Sequence, residues 1–370
     1  MTINGISLNQ IRDALQAQGD PWQAGATSMS LLHPDEQQVR LGVKPPPGEP
    51  GIAEVAQRSQ QIQADMQARA RASVGAPAEY DLRNVGGQNF VTPVVDQSAC
   101  GSCVAFGTVA AIESRLRVQR GNPDLAVDLS EAHLFFCHGR ARGANCDTGW
   151  WPKEALDDCK AKGLVDEACY PYDLANRDCS GLCANAADRL TKISGYSELT
   201  NNPADIKSFI ATKGPVDACF VVYADFFSYT SGVYQHVSGD VAGGHCVAIV
   251  GYNDNPGYWI CKNSWGSGWG EQGYFRIAYG ECGIESWGNF GVDGIENTGW
   301  QNNARVLGLW TVNQERNAWV YFDALGWRQI SSDTDTVFYD MLSQMIAAKA
   351  AARPVTFYEE NSVIKQAYVF

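Results

Sequence analysis

Gln97-Ser-Ala-Cys100-Gly-Ser-Cys103-Val-Ala-Phe-Gly107 is the stretch that decides the fold. It sets Cys103 just inside the start of an apolar-patterned segment, Val104–Gln119, that is predicted to be a helix ending at Gly121. A thiol at that place meets the positive end of the helix dipole and unpaired backbone N–H groups, so thiolate is expected to be favoured over thiol. A lone cysteine of this kind is more often a small core residue. The rest of the chain overturns that reading. The segment Gly243-Gly-His245-Cys-Val-Ala-Ile-Val-Gly-Tyr252 opens an apolar strand with His245. After the turn Asn253–Gly257, a second apolar run from Tyr258 ends at Asn263. Such a hairpin brings His245 and Asn263 side by side, leaving one imidazole nitrogen for a thiol and the other for an amide oxygen.

Composition bounds the alternatives. The 370 residues suit two or three domains, and 45% hydrophobic content is ample for packed cores. Net charge is −13 with no Lys/Arg block, which argues against nucleic acid or anionic membranes as partners. No apolar run approaches a membrane span, and the first residues lack the basic-then-apolar pattern of a secretory signal. Twelve cysteines nevertheless suggest a disulfide framework and an oxidising compartment, secreted or periplasmic. The chain divides into 1–76, 77–295 and 296–370. In the first part, Ser7-Leu-Asn-Gln10 has the form of a capping box before a short helix closed by Gly19, and residues 52–72 are rich in helix formers after a stiff Lys44–Gly51 linker. In the second, Ser130 and Pro152 mark helix starts, and strands dominate after residue 214.

The cysteine stretch, the blocks Gly214–Val216, Gly243–His245, Lys262–Ile277 and Cys282–Ser286, and their order resemble the papain-like cysteine peptidases; the Cys282–Ser286 block is most similar to cathepsin B. The resemblance covers 77–295 and implies an α+β, two-lobed papain-like fold, a helical lobe against a β-barrel-like lobe. It implies Cys103 as nucleophile, His245 as its base and acid, Asn263 as the group that fixes the imidazole, Trp265 as a shield over that contact, and Gln97 as an oxyanion donor. Neither metal nor cofactor is called for. The substrate cleft would be lined by Gly149, Trp151, Cys219, Gly243, Cys246 and Trp287. Trp287 stands where cathepsin B has a carboxylate, so apolar or aromatic rather than cationic side chains are expected there. Cys100 with Cys146 and Cys137 with Cys179 are comparable to family disulfides, and Cys159 with Cys169 is a possible third pair. Residues 1–76 are expected to be an inhibitory leader, with Trp22–Ser30 nearest the thiol. Val104 and Gly107 depart from the usual Trp and Ser, and Gly107 costs up to about 1 kcal/mol of helix propensity.

Residues 296–370 lie outside the resemblance. Two strands around a tight turn, an amphipathic helix ending before Pro354 and two closing strands are expected, a small β-rich, OB-like domain that binds glycan or self-associates. The sequence thus points to a cysteine endopeptidase made as a zymogen and acting on peptides or proteins. A non-catalytic binding protein on the same scaffold, or a transpeptidase using the same acyl-enzyme, are the alternatives. Retention of Cys103, His245, Asn263 and Gln97 together favours the first.

Overall fold

The structure, a computed structural model, describes residues 2–3, 6–72, 75–175, 177–296, 299–311, 314–323, 325–330, 334–360 and 362–369. The chain opens with a tiny hairpin, β1 (Thr2–Ile3) and β2 (Ile6–Ser7), and α1 (Leu8–Ala17). The capping box forms: Ser7 Oγ accepts from the Gln10 N–H at 3.2 Å and Gln10 Oε1 from the Ser7 N–H at 2.8 Å. Next come β3 (Trp22–Ala24), the one-turn α2 (Pro34–Gln38) and α3 (Ile52–Arg71), then β4 (Glu79–Asp81) and α4 (Cys103–Arg120). Helix α4 is buried from Cys103 through Ser114. After α4, Ser130 Oγ caps an irregular helical turn at His133–Gly139 by accepting the His133 N–H at 2.9 Å. Helix α5 (Pro152–Ala161) starts on its proline, as expected.

Strand β5 (Ile193–Glu198) and α6 (Pro203–Thr212) lead into β6 (Val216–Tyr223), β7 (Tyr229–Tyr234), β8 (Val241–Asn253), β9 (Tyr258–Lys262), β10 (Tyr274–Ala278) and β11 (Phe290–Ile295). Among the described residues the sheet order is β3-β7-β10-β9-β8-β6-β11-β5, with β4 paired to β8. Strand β6 is buried along its whole length, because α4 and the neighbouring strands enclose it. The leader is thus woven into the sheet: Trp22 pairs with Gly232, and its indole donates to the Gln235 carbonyl at 2.8 Å. That disposes of the expectation that Trp22–Ser30 lies nearest the thiol. Strand pairing with β7 draws this stretch away from Cys103, and residues farther along take its place.

A second compact unit comprises Gln119–Asn122 and Ile295–Phe370. Its strands β12 (Gly299–Thr311), β13 (Ala318–Phe322), β14 (Gly326–Ile330), β15 (Pro354–Glu360) and β16 (Val363–Val369) close a barrel in the order β12-β13-β14-β16-β15, and α7 (Asp335–Ala351) links β14 to β15. The turn expected between β13 and β14 includes Ala324, which lies outside the described residues. Val320, Phe322, Met345, Val355, Phe357 and Ile364 form its apolar core.

Three disulfides staple the helical part of the first unit. Cys100–Cys146 and Cys137–Cys179 form as the resemblance implied. The third joins Cys169 to Cys183, not to Cys159. Cys159 sits on the buried face of α5 with Ala155 and Leu156, whereas the Cys183 N–H donates to the Cys169 carbonyl at 3.1 Å and brings those two Cα atoms to 4.9 Å.

Candidate active site

Cys103 begins α4 and is fully buried. His245 and Asn263 come from the β8–β9 hairpin, as its spacing suggested. His245 Nε2 and Asn263 Oδ1 are 2.7 Å apart, and the same Oδ1 also accepts the Ser264 N–H. The Trp265 ring lies 4.7 Å from the imidazole, centroid to centroid. Among the described residues the buried His245 Nδ1 has no hydrogen-bond partner. An imidazole with one nitrogen committed and the other idle can exchange a proton only through Nδ1.

Gln97 is held on three sides. Its N–H donates to the Ser264 carbonyl at 2.9 Å, its Oε1 accepts from Ser264 Oγ at 2.7 Å, and its carbonyl accepts from Tyr172 Oη at 2.9 Å. This fixes the amide orientation, so that Nε2 donates to the Cys100 carbonyl at 2.8 Å and to the leader's Arg40 carbonyl at 3.0 Å. Neither Ser264 nor Tyr172 was picked out from sequence. Ser264 follows Asn263 directly, which is the signal that could have found it.

The leader runs through the cleft as a parallel bridge, Val43 beside Trp150. The Trp150 N–H donates to the Gly42 carbonyl and the Lys44 N–H to the Trp150 carbonyl, both at 2.8 Å, and the Val43 N–H donates to the Gly244 carbonyl at 3.2 Å. The Gly42 N–H points at Cys103 Sγ, 3.3 Å away. Gly42 is threaded so tightly that a Cβ on it would fall 1.9 Å from the Gly101 oxygen, and one on Gly149 would fall 1.9 Å from the Gly42 oxygen. The residues expected to line the cleft are brought together around this segment. Gly149 and Gly243 face Gly42 and Leu41, the Trp151 and Trp287 rings lie 5.8 Å apart, and Cys219 and Cys246 are cross-strand partners. Val43 and the Trp287 ring both lie over Gly244, and the Trp287 indole donates to the Pro50 carbonyl at 3.0 Å.

The covered site is electrically silent. Burial pushes the Cys103 thiol up to about 12, which the Gly42 N–H only partly opposes. Burial also pulls the His245 imidazole down to about 4, against the Asn263 bond and the nearby Arg40 carbonyl. The expected thiolate is therefore absent in this state. Loss of water around the sulfur outweighs the helix end, because a desolvated anion without a nearby cation is the costlier term.

A family model for papain family cysteine proteases matches residues 76–291. Cathepsin B-like CP3 of Giardia intestinalis is 42% identical over 225 residues, 57% of this chain and 72% of that protein. A gut-specific cysteine proteinase of Caenorhabditis elegans is 36% identical over 259 residues, 62% of this chain and 77% of that protein. Among solved structures, procathepsin B S9 from Trypanosoma congolense matches with a TM-score of 0.61 at 26% identity, over 78% of this chain and 98% of that one. Digestive procathepsin L2 of Tenebrio molitor gives 0.59 at 29% identity, over 76% and 87%. Both are proforms, and both share the mixed helix-and-sheet architecture described above. The chain belongs to the papain family of cysteine proteases.

Proposed function

We propose that the protein is an endopeptidase in which Cys103 is the nucleophile, His245 its base and acid, Asn263 the anchor of the imidazole and Gln97 the oxyanion donor. In the open enzyme His245 Nδ1 takes the thiol proton. The sulfur attacks a peptide carbonyl carbon, Gln97 Nε2 and the Cys103 N–H stabilise the oxyanion, and the imidazolium protonates the departing amine. Water then hydrolyses the thioester; an amine in its place would give transpeptidation. The observation that carries this reading is the leader itself. A peptide main chain already lies in the cleft, with one of its carbonyls bound by the Gln97 amide.

Residues 1–76 act in this reading as an intramolecular inhibitor that is not cut. An N–H, not a carbonyl carbon, faces the sulfur, and both titrating partners are held neutral. Val43 and Trp287, both over Gly244, support aliphatic side chains in the adjoining subsite. The three disulfides support an oxidising compartment. The barrel carries exposed Trp310, Tyr321 and Trp327, a face suited to stacking on neutral sugar rings, which sedimentation with insoluble polysaccharides tests. Peptide hydrolysis by the full chain, before and after proteolytic removal of the leader, tests the enzymatic reading. Activity should appear on removal and be absent in Cys103→Ala. Equal activity before and after removal would sink the inhibitor role, and activity in Cys103→Ala the nucleophile.

A further inference from the structure

One buried carboxyl joins the two halves of the site. Asp217 lies on β6 and is fully buried. Its Oδ2 accepts a hydrogen bond from Thr108 Oγ1 at 2.6 Å, and its Oδ1 one from Cys246 Sγ at 2.8 Å. Thr108 belongs to α4, the helix that begins with Cys103; Cys246 directly follows His245 on β8. The helix makes room for the carboxyl by lacking a side chain. A Cβ on Gly107 would come within 2.8 Å of Asp217 Oδ1 and 3.1 Å of Cys246 Sγ. Gly107, a poor helix residue by propensity, is explained by that close approach.

Among the described residues no cation faces this group. The side chains that bear on it are Thr108 from α4, Cys246 from β8, Cys219 from its own strand and Cys159 from α5. Burial pushes the carboxyl up to about 7, against the two hydrogen bonds it accepts. As the neutral acid it fits the packed site, its own O–H then donating to the Thr108 hydroxyl oxygen while the other oxygen still accepts from Cys246 Sγ. As a carboxylate it would be an uncompensated buried charge, relieved only by admitting water between α4 and the β6–β8 pair.

We propose that Asp217 is a positioning residue: as the neutral acid it clamps the Cys103 helix to the His245 strand, and its deprotonation loosens the clamp and sets the alkaline limit of activity. The inference rests on the catalytic roles proposed above, and its test separates the two. Asp217→Asn keeps the size and both hydrogen-bond partners but cannot ionise. In leader-free enzyme prepared from the full chain, wild-type kcat should fall about tenfold per pH unit above the carboxyl's midpoint, with KM unchanged. Asp217→Asn should move that limb up by at least one unit. Thr108→Val, which removes one arm of the clamp, should lower kcat several-fold at unchanged KM. A limb that stays put in Asp217→Asn overturns the proposal, as does a Thr108→Val effect confined to KM.

The second arm needs neither activity nor a stable Asn variant. In denaturant unfolding of the unprocessed full chain, wild type and Thr108→Val should both lose stability as pH rises, Thr108→Val the more, because it lacks one of the two hydrogen bonds that favour the carboxylate. Relative to Asp217→Asn, where that variant accumulates, the folding constant of wild type should drop by up to about 10³-fold between pH 4 and 8. Parallel pH dependences overturn the proposal whatever the enzyme assays show. An inactive wild type with divergent unfolding profiles would instead count against the catalytic roles alone.

Discussion

Gly42→Ala probes how the leader holds the cleft shut. The new Cβ would lie 1.9 Å from the Gly101 oxygen, 2.3 Å from its carbonyl carbon and 2.6 Å from its Cα. Gly101 has no room to retreat: its N–H is bonded to the Cys146 carbonyl at 2.9 Å, beside the Cys100–Cys146 disulfide. The leader must therefore lift, giving up the Trp150–Gly42, Lys44–Trp150 and Val43–Gly244 backbone bonds. At a net value of about 1 kcal/mol each, their loss is about 3 kcal/mol, or roughly 10²-fold in the population with an uncovered thiol. Iodoacetamide labelling of the full chain, with the adduct mapped to Cys103 by mass spectrometry, reads that population directly. Labelling should be about 10²-fold faster in Gly42→Ala than in wild type. Equal rates would show that Gly42 does not gate the sulfur.

Three further outcomes are expected. Trp287→Glu should switch the subsite beside Val43 towards cations, raising kcat/KM for Arg over Val at the second position before the cut by at least about tenfold in a fluorogenic peptide pair; an unchanged ratio would remove Trp287 from that subsite. Peptide mapping without reduction should recover a Cys169–Cys183 linkage and a free Cys159, and recovery of Cys159–Cys169 would contradict the chain path between α5 and residue 183. Acid should loosen the leader. Covered His245 is held down to about 4, so the covered state loses stability once the pH falls below the point at which the open thiolate–imidazolium pair takes up a second proton. Glu281, pushed up by burial and bonded by the leader's Gln63, opposes this. Acid-dependent proteolysis of the leader should therefore be blunted in His245→Ala, and an identical pH profile in the two proteins would exclude the imidazole as the trigger.

Much of the site was legible because its spacing is local. Cys103 at a helix start and the His245–Asn263 hairpin follow from periodicity and turn residues within short windows. The leader's path was not, because it depends on long-range pairing. Trp22–Ala24 adds to β7, while Gly42 enters the cleft, and nothing in the sequence around either says which will meet the thiol. The charge state also escaped local reading. A helix start favours thiolate only while water reaches the sulfur, and the leader takes that water away. The third disulfide failed for the same reason: sequence nearness of Cys159 and Cys169 ignored that α5 turns Cys159 inward. Gly107 looked like a defect until Asp217 supplied its reason from a strand more than a hundred residues away.

The pH dependence of Cys103 alkylation in leader-free protein shows whether an imidazole at Nδ1 charges the sulfur once the leader has gone. Labelling should already be rapid at pH 5 to 6, because the thiolate is paired with imidazolium. In His245→Ala the rate should collapse onto a single limb near the ordinary thiol value of about 8.5. Overlapping profiles in the two proteins, each rising only near that value, would contradict that pairing.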